Sequence, residues 1–294
     1  MDAQVVTNVK NELVAAISAN PMRNVKLGDV LFDNRYTSDI YYHDDLPSFS
    51  DSVEKHLPKP ELQFKNATED SDIFTVLYDF LANEDIPLCG STVLILLKRW
   101  RQNDVPFYYM KQLHEKRVTV NIISSNHMIL PGHVRGTFLL PMYTNGLDIC
   151  AGEKSISNDS SFPLVARKVM SAPYLDNLLY STSVYLIQNV TNQPLDTLKV
   201  PEYSDTDSLL DVTLVITTDA VQASEFQWMD LRVVNKATGK KSNFAYDQRD
   251  FFEDSDSIWK TIKLESGSVN DVFVDYETVF SGSLLIRMYI NRPV

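Results

Sequence analysis

Strict two-residue alternation constrains the second half of this chain more than any other feature. In DVTLVIT the apolar residues Val212, Leu214 and Ile216 share one face, and in VFVDY Val272, Val274 and Tyr276 do the same. A period of two belongs to a pleated strand with one buried and one wet face, which points to antiparallel pairing. VTVNIISSNHMIL, HVRGTFLLPMY, LLDVTLVITTDAV, FQWMDLRVVN, IWKTIKLE, NDVFVDYETVF and SLLIRMYI are short and rich in β-branched and aromatic residues, and Gly, Pro, Asn or Ser clusters separate them. They read as strands. NKATGKKSN, with Gly239 between apolar runs, reads as a hairpin tip. Residues 118–294 hold roughly eight strands with their loops, the content of a sandwich or jelly roll. Consecutive strands without helices between them disfavour a doubly wound α/β fold. A helical interruption is expected around Leu164–Leu179, and the final strand places the C-terminus at the edge of the β-domain.

Upstream the period changes. Val5, Val6, Val9, Leu13, Val14 and Ile17 recur at three- and four-residue steps and predict an amphipathic helix ended by Asn20-Pro21. A second helix is expected over Ile73–Leu81, capped from Asp70-Ser71 with Asp72 near its N-terminus, and a third after Ser91 carrying Val93, Leu94, Leu96, Leu97 and Trp100. A short fourth runs from Pro106 to about Lys116. Between them, residues 21–68 lose the period and gather Pro47, Pro58, Pro60, Tyr36, Tyr41, Tyr42 and Phe49, which reads as an extended arm. The expected class is therefore α+β: a helical N-terminal part over 1–117, with the arm at 21–68, followed by a mainly antiparallel, jelly-roll-like β-sandwich over 118–294.

Composition narrows the function. Only 9 glycines in 294 residues, none arranged to cradle a phosphate, argue against glycine-loop nucleotide folds. A net charge of −12 opposes broad attraction to nucleic acid or anionic membrane. Two cysteines, Cys89 and Cys150, supply no disulfide framework, and the acidic amphipathic start reads as neither a secretory signal nor a membrane span.

The search for chemistry yields no catalytic, cofactor or metal assignment. No GxSxG elbow is present. Cys89-Gly90-Ser91 places a thiol at an expected helix start, where a dipole lowers thiol pKa, although free Cys more commonly acts as a small hydrophobe. No CxxC or HExxH occurs; His127 and His133 could converge across a turn but lack a third ligand close by. Asp44-Asp45, Asp205/Asp207 and Asp250/Glu253/Asp254/Asp256 match no EF-hand and read as solvated loops. One local basic excess, Lys98, Arg99 and Arg101 followed by Lys111, Lys116 and Arg117, interleaves with Trp100, Tyr108 and Tyr109. Such a mixture can contact phosphates and stack bases, or dock on an acidic protein surface. Trp228, Trp259 and Trp100 are the first candidates for a glycan platform.

The helical start, the proline-containing arm and the strand-dense second half, with DVTLVITTDAV and SGSLLIRMYI as typical strands, together resemble the large protrusion proteins of cypoviruses, single-shelled members of the reovirus group. The resemblance covers length and texture over most of the chain. It implies a non-enzymatic virion structural protein that binds the outside of a capsid shell and stabilises it through protein–protein interfaces, present in the virion and in the host cytoplasm during assembly. Its partners would be the shell protein or further copies of itself, with nucleic acid reached only through the basic patch and no membrane contact. The alternative is a carbohydrate- or receptor-binding sandwich module, and after that a hydrolase with a loop-built site.

Overall fold

In the computed structural model, residues 2–19, 26–32, 37–59, 71–84, 86–98, 106–125, 135–151, 178–187, 189–202, 209–218, 226–247, 257–278 and 281–290 are described. The chain divides into two compact units, Met1–Ala172 and Pro173–Val294.

The first unit begins with helix α1 (Ala3–Ala19), which buries Val5, Val9, Ala16 and Ile17 on one stripe. Strands β1 (Leu27–Asp29) and β2 (Tyr41–His43) pair antiparallel. Helix α2 (Leu46–Lys55) follows inside the segment expected to be an extended arm. Its start is written locally: the Asp45 side chain accepts from the Ser48 N–H at 2.7 Å, and Pro47 stands in the first turn, where a missing N–H costs nothing. Leu46, Phe49 and Val53 recur along it at three- and four-residue steps, a stripe that the reading as an arm passes over. Lys10 of α1 reaches Glu54 of α2 at 2.5 Å.

Helix α3 (Ile73–Ala82) is capped by Asp72, whose carboxylate accepts from the Thr75 N–H at 3.3 Å. It is followed by β3 (Thr92–Leu97), α4 (Phe107–Glu115), β4 (Thr119–Ser125), α5 (Arg135–Tyr143) and β5 (Asp148–Ala151). The three strands form a parallel sheet in the order β3-β4-β5. Ile73, Leu77, Leu113 and Leu140 on the helices share a core with Ile95, Leu97, Val120 and Ile122 on the strands.

This layer corrects four expectations. TVLILL, read as a helix after Ser91, is a strand, because in a parallel sheet both faces are covered and the period of two disappears. HVRGTFLLPMY, read as a strand, contributes helix α5, with Pro141 inside it. The boundary expected at 117/118 moves to 172/173, since β4 pairs residue for residue with β3 across it. A βαβαβ arrangement also stands where helix-free strand succession was expected.

The second unit contains β6 (Leu178–Ile187), β7 (Val190–Pro194), β8 (Leu198–Lys199), β9 (Leu209–Thr218), β10 (Phe226–Asn235), β11 (Lys241–Asp247), β12 (Ser257–Glu265), β13 (Val269–Thr278) and β14 (Ser281–Ile290). One sheet runs β12-β9-β14-β6 and the other β11-β10-β13-β7, with β8 also on β13, and every pairing is antiparallel. Apart from β7–β8 and the β10–β11 hairpin, successive strands switch between the sheets in the order of a jelly roll. The alternating residues close a single core: Val212, Leu214 and Ile216 from one sheet pack with Leu231, Val274 and Tyr276 from the other. Asn235 N–H donates to the Lys240 carbonyl at 2.9 Å across the β10–β11 turn, where Gly239 takes φ +68°. β14 lies between β9 and β6, and the residues after Ile290, on which the expectation for the C-terminus falls, lie outside the described residues. The interruption expected at 164–179 falls outside the described residues except for its end, where Leu178 and Leu179 open β6. The molecule is thus α+β, with a sandwich-like C-terminal part.

Candidate binding face on the five-stranded sheet

Along β10 the buried residues Met229, Leu231 and Val233 alternate with Trp228, Asp230 and Arg232, which lie on the outer face. Pairing with β13 sets Glu277 opposite Trp228, Asp275 opposite Asp230 and Phe273 opposite Arg232. The result is an ordered row of polar groups beside aromatic rings. Trp228 is 37% exposed, and its indole Nε1–H donates to Glu277 Oε2 at 2.7 Å, which fixes the ring orientation. Arg232 is held from three sides: Nη2 pairs with Asp275 Oδ2 at 2.8 Å and donates to Asn192 Oδ1 at 3.0 Å, while the guanidinium lies 5.8 Å from the Phe273 ring centroid. Asn192 takes φ 57° where β7 bulges against β13, and its backbone N–H donates to Asp275 Oδ1.

Asp230 sits at the centre. Burial raises its pKa, Asp275 pushes in the same direction and Arg232 opposes them. No nucleophile with an adjacent base lies among these residues, and the chemistry the face offers is recognition: an exposed ring for stacking or burial, framed by oriented donors and acceptors. Trp228 was legible as a candidate from its residue type. Arg232, Asp275, Glu277 and Asn192 were not, because strand register alone brings them together.

A second cluster lies in the first unit. Asp29 Oδ1 is 2.7 Å from His43 Nε2, and Asp29 Oδ2 is 3.0 Å from His56 Nδ1. Tyr41 stacks on His56 with centroids 4.5 Å apart. Ser52 Oγ lies 3.4 Å from the same His56 Nδ1 that meets Asp29. A serine–histidine–aspartate relay needs the two partners on opposite ring nitrogens, so this cluster cannot pass a proton from Ser52 to Asp29 through the ring. It ties α2 to the β1–β2 hairpin. Among the described residues no group of three or more His, Cys, Asp or Glu side chains is placed to hold a metal ion.

The basic candidates do not form one stripe. Lys98 follows the carboxyl end of β3, whereas Lys116 and Arg117 precede the amino end of β4. Parallel strands set these positions at opposite ends of the sheet, about 20 Å apart for a strand of this length. Lys111 faces Glu115 at 3.7 Å on α4. Tyr109 stacks on Phe74 with centroids 6.0 Å apart, whereas Tyr108 is exposed. Arg99, Trp100 and Arg101 lie outside the described residues, as do His127, His133 and the Asp205 and Asp250–Asp256 clusters. Cys89 is exposed in a turn before β3, and a strand rather than the expected helix follows it. Among the described residues no helix is long and apolar enough to cross a membrane.

No protein-family model matches the chain, and no curated protein matches it. Among solved structures it is similar to the human COPII-coat protein Sec24c, with a TM-score of 0.40 and 8% identity over 97% of this chain and 41% of that one. It is also similar to Drosophila melanogaster CENP-C bound to CAL1, with a TM-score of 0.20 and 6% identity over 38% of this chain and 64% of that one. A further likeness is to lmo2446, an uncharacterised protein of Listeria monocytogenes EGD-e, with a TM-score of 0.20 and 16% identity over 33% and 8% of the two chains. The chain spans about two fifths of the Sec24c chain it matches, and none of these likenesses assigns it to a family.

Proposed function

We propose that the chain is a non-enzymatic virion structural protein that binds the outside of a capsid shell and stabilises it through protein–protein interfaces. The observation that carries this reading is the jelly roll whose five-stranded sheet turns Trp228 outward beside the Arg232–Asp275 pair. Jelly rolls serve as capsid and lectin domains, and Trp and Arg are the side chains most enriched where interfaces draw their energy. A strand-built face with fixed rotamers loses little entropy on docking. The test is co-sedimentation of the purified full chain with assembled shells of the parent particle. Saturable binding is expected, and Trp228→Ala weakens it by about thirtyfold, the equivalent of roughly 2 kcal/mol at an interface centre. A chain that stays in the supernatant overturns the proposal.

A second reading, a carbohydrate- or receptor-binding module, is favoured by one specific feature: the Trp228 ring is oriented by Glu277 and flanked by planar polar groups, as a sugar platform requires. Titration of tryptophan fluorescence against a glycan panel separates the two, since a response lost in Trp228→Ala without shell binding supports this reading over the first.

A further inference from the structure

Helix α5 is followed by a chemically reactive pair. Asn145–Gly146 is the one Asn-Gly step in the sequence. Glycine has no side chain to shield its nitrogen, so in an open chain that nitrogen reaches the side-chain carbonyl of a preceding asparagine with the least hindrance. The Gly146 nitrogen bonds to Asn145 Cγ, the Cγ–Nδ2 bond breaks, and ammonia leaves with the proton given up by the Gly146 N–H. Water then opens the cyclic imide at either carbonyl. Cleavage at Cγ leaves aspartate, and cleavage at the main-chain carbonyl leaves isoaspartate, with the chain running through the former side chain. Water is the only co-reactant.

The fold closes this route. Asn145 takes φ 57° just past α5, and the Gly146 N–H donates to the Pro141 carbonyl at 2.8 Å, a helix ending that keeps the proton that must leave in a hydrogen bond. Both sides of the pair are anchored to β4. The Thr144 hydroxyl accepts from the Val120 N–H at 3.0 Å and donates to the Leu140 carbonyl at 2.7 Å. The Leu147 N–H donates to Asn121 Oδ1 at 2.9 Å, and the Leu147 carbonyl accepts from the Ile122 N–H at 2.8 Å. Between these anchors Gly146 is buried so closely that a Cβ would stand 1.8 Å from the Val120 carbonyl oxygen. Isoaspartate adds one main-chain methylene, about 1.5 Å of bond length, to a link whose two ends are fixed. We propose that Asn145 is a site of spontaneous deamidation that the α5–β5 turn holds closed, that each local opening of the turn exposes, and whose isoaspartyl product bars the turn from closing again. Reaction proceeds from the open form, so its rate follows the open population and the product is a lasting record of openings in the parallel layer.

This inference needs neither a shell nor a glycan and stands apart from the Trp228 face. The full chain is held at mildly alkaline pH in buffer and in unfolding urea, and the proteolytic peptide containing Asn145 is followed by mass spectrometry for deamidation and isoaspartate. The folded chain is expected to react about a hundredfold or more slowly than the unfolded chain. Thr144→Ala, which leaves the buried Val120 N–H without its acceptor, speeds the reaction in buffer by about tenfold and leaves the rate in urea unchanged. If Thr144→Ala does not keep the wild-type circular dichroism spectrum, the comparison of folded with unfolded wild type stands without it. Returned to buffer, the isoaspartyl chain regains less hydrogen-exchange protection across β4 than Asn145→Asp taken through the same steps, since that variant carries the new charge without the methylene. Equal rates in buffer and urea, an unfolded chain that does not deamidate at Asn145, a folded Thr144→Ala no faster than wild type, or an isoaspartyl chain as well protected as Asn145→Asp overturns the inference.

Discussion

The central strand of the parallel layer is covered on both faces, as is β14 of the jelly roll, whereas β10 and β13 carry unlike residues on opposite faces. In β4, Thr119, Val120, Asn121, Ile122 and Ser124 are all buried. In β13, buried Val272, Val274 and Tyr276 alternate with half-buried Asp271, Phe273 and Asp275. A strand enclosed on both sides must find internal partners for its polar groups. Asn121 Oδ1 accepts from the Leu147 N–H at 2.9 Å, and the Thr144 hydroxyl accepts from the Val120 N–H at 3.0 Å. A strand with one wet face can instead assemble its polar groups into a surface, as β10 and β13 do around Arg232. The enclosed layer thus spends its polar side chains on its own cohesion, as β14 does where buried Arg287 donates to Thr217, while the β10–β13 face has them to spare for recognition.

The sharpest way to break this contrast is Gly146→Ala. A Cβ there would stand 1.8 Å from the Val120 carbonyl oxygen, which backbone rather than a flexible side chain supplies. Neither segment can yield without parting β4 from the turn before β5, and a loss above about 3 kcal/mol is expected, at the upper end for overpacking. Hydrogen exchange should show protection lost across β3–β5. Near-wild-type protection would mean that the layer is looser than its close approach implies.

Leu214→Ala probes the jelly roll in the same terms. Leu214 is fully buried in the core shared by the two sheets, and its truncation should cost about 3 kcal/mol in denaturant unfolding, from lost transfer energy and the cavity left behind. A cost below about 1 kcal/mol would indicate that the sheets collapse onto the gap.

The smallest effect sharpens the comparison at the candidate face. Burial, seconded by Asp275 and opposed by Arg232, raises the pKa of Asp230. The folded state then binds this proton more readily than the unfolded state. Between the ordinary carboxylate pKa and the raised one, stability falls as pH rises, and the ionised group remains a net cost at neutral pH. Asp230→Asn should remove that slope and raise the melting temperature slightly at pH 7, with little change in acid. Equal melting temperatures for the two proteins across the pH series would count against the assignment.

Legibility followed the same division. Helices α1, α3 and α4 could be read because each buries one stripe, and the hairpin at Gly239 because a turn chemistry announced it. The alternation in DVTLVIT and VFVDY foretold the inner faces of the sandwich residue by residue. TVLILL could not be separated from a helix, since burial on both faces erases the period that distinguishes them. α2 carries a readable start in Asp45 and Pro47 and a short stripe of Leu46, Phe49 and Val53, which the prolines and aromatic residues around it obscure. α5 carries Pro141 and an apolar run that suits either element. At the candidate face Trp228 stands out by its residue type, but nothing local joins Arg232 to Asp275 or Trp228 to Glu277.

What the sequence by itself determined is which residues turn inward along the antiparallel strands, because a two-residue period and the need to hide apolar area act within a few neighbouring positions. What only the tertiary structure decided is which strands lie side by side: the jelly-roll order, the parallel layer that reaches past residue 118, and the grouping of Trp228, Arg232, Asp275 and Glu277. Pairing between distant segments is settled by competition among complete sheets for the same buried surface, and no local pattern records its outcome.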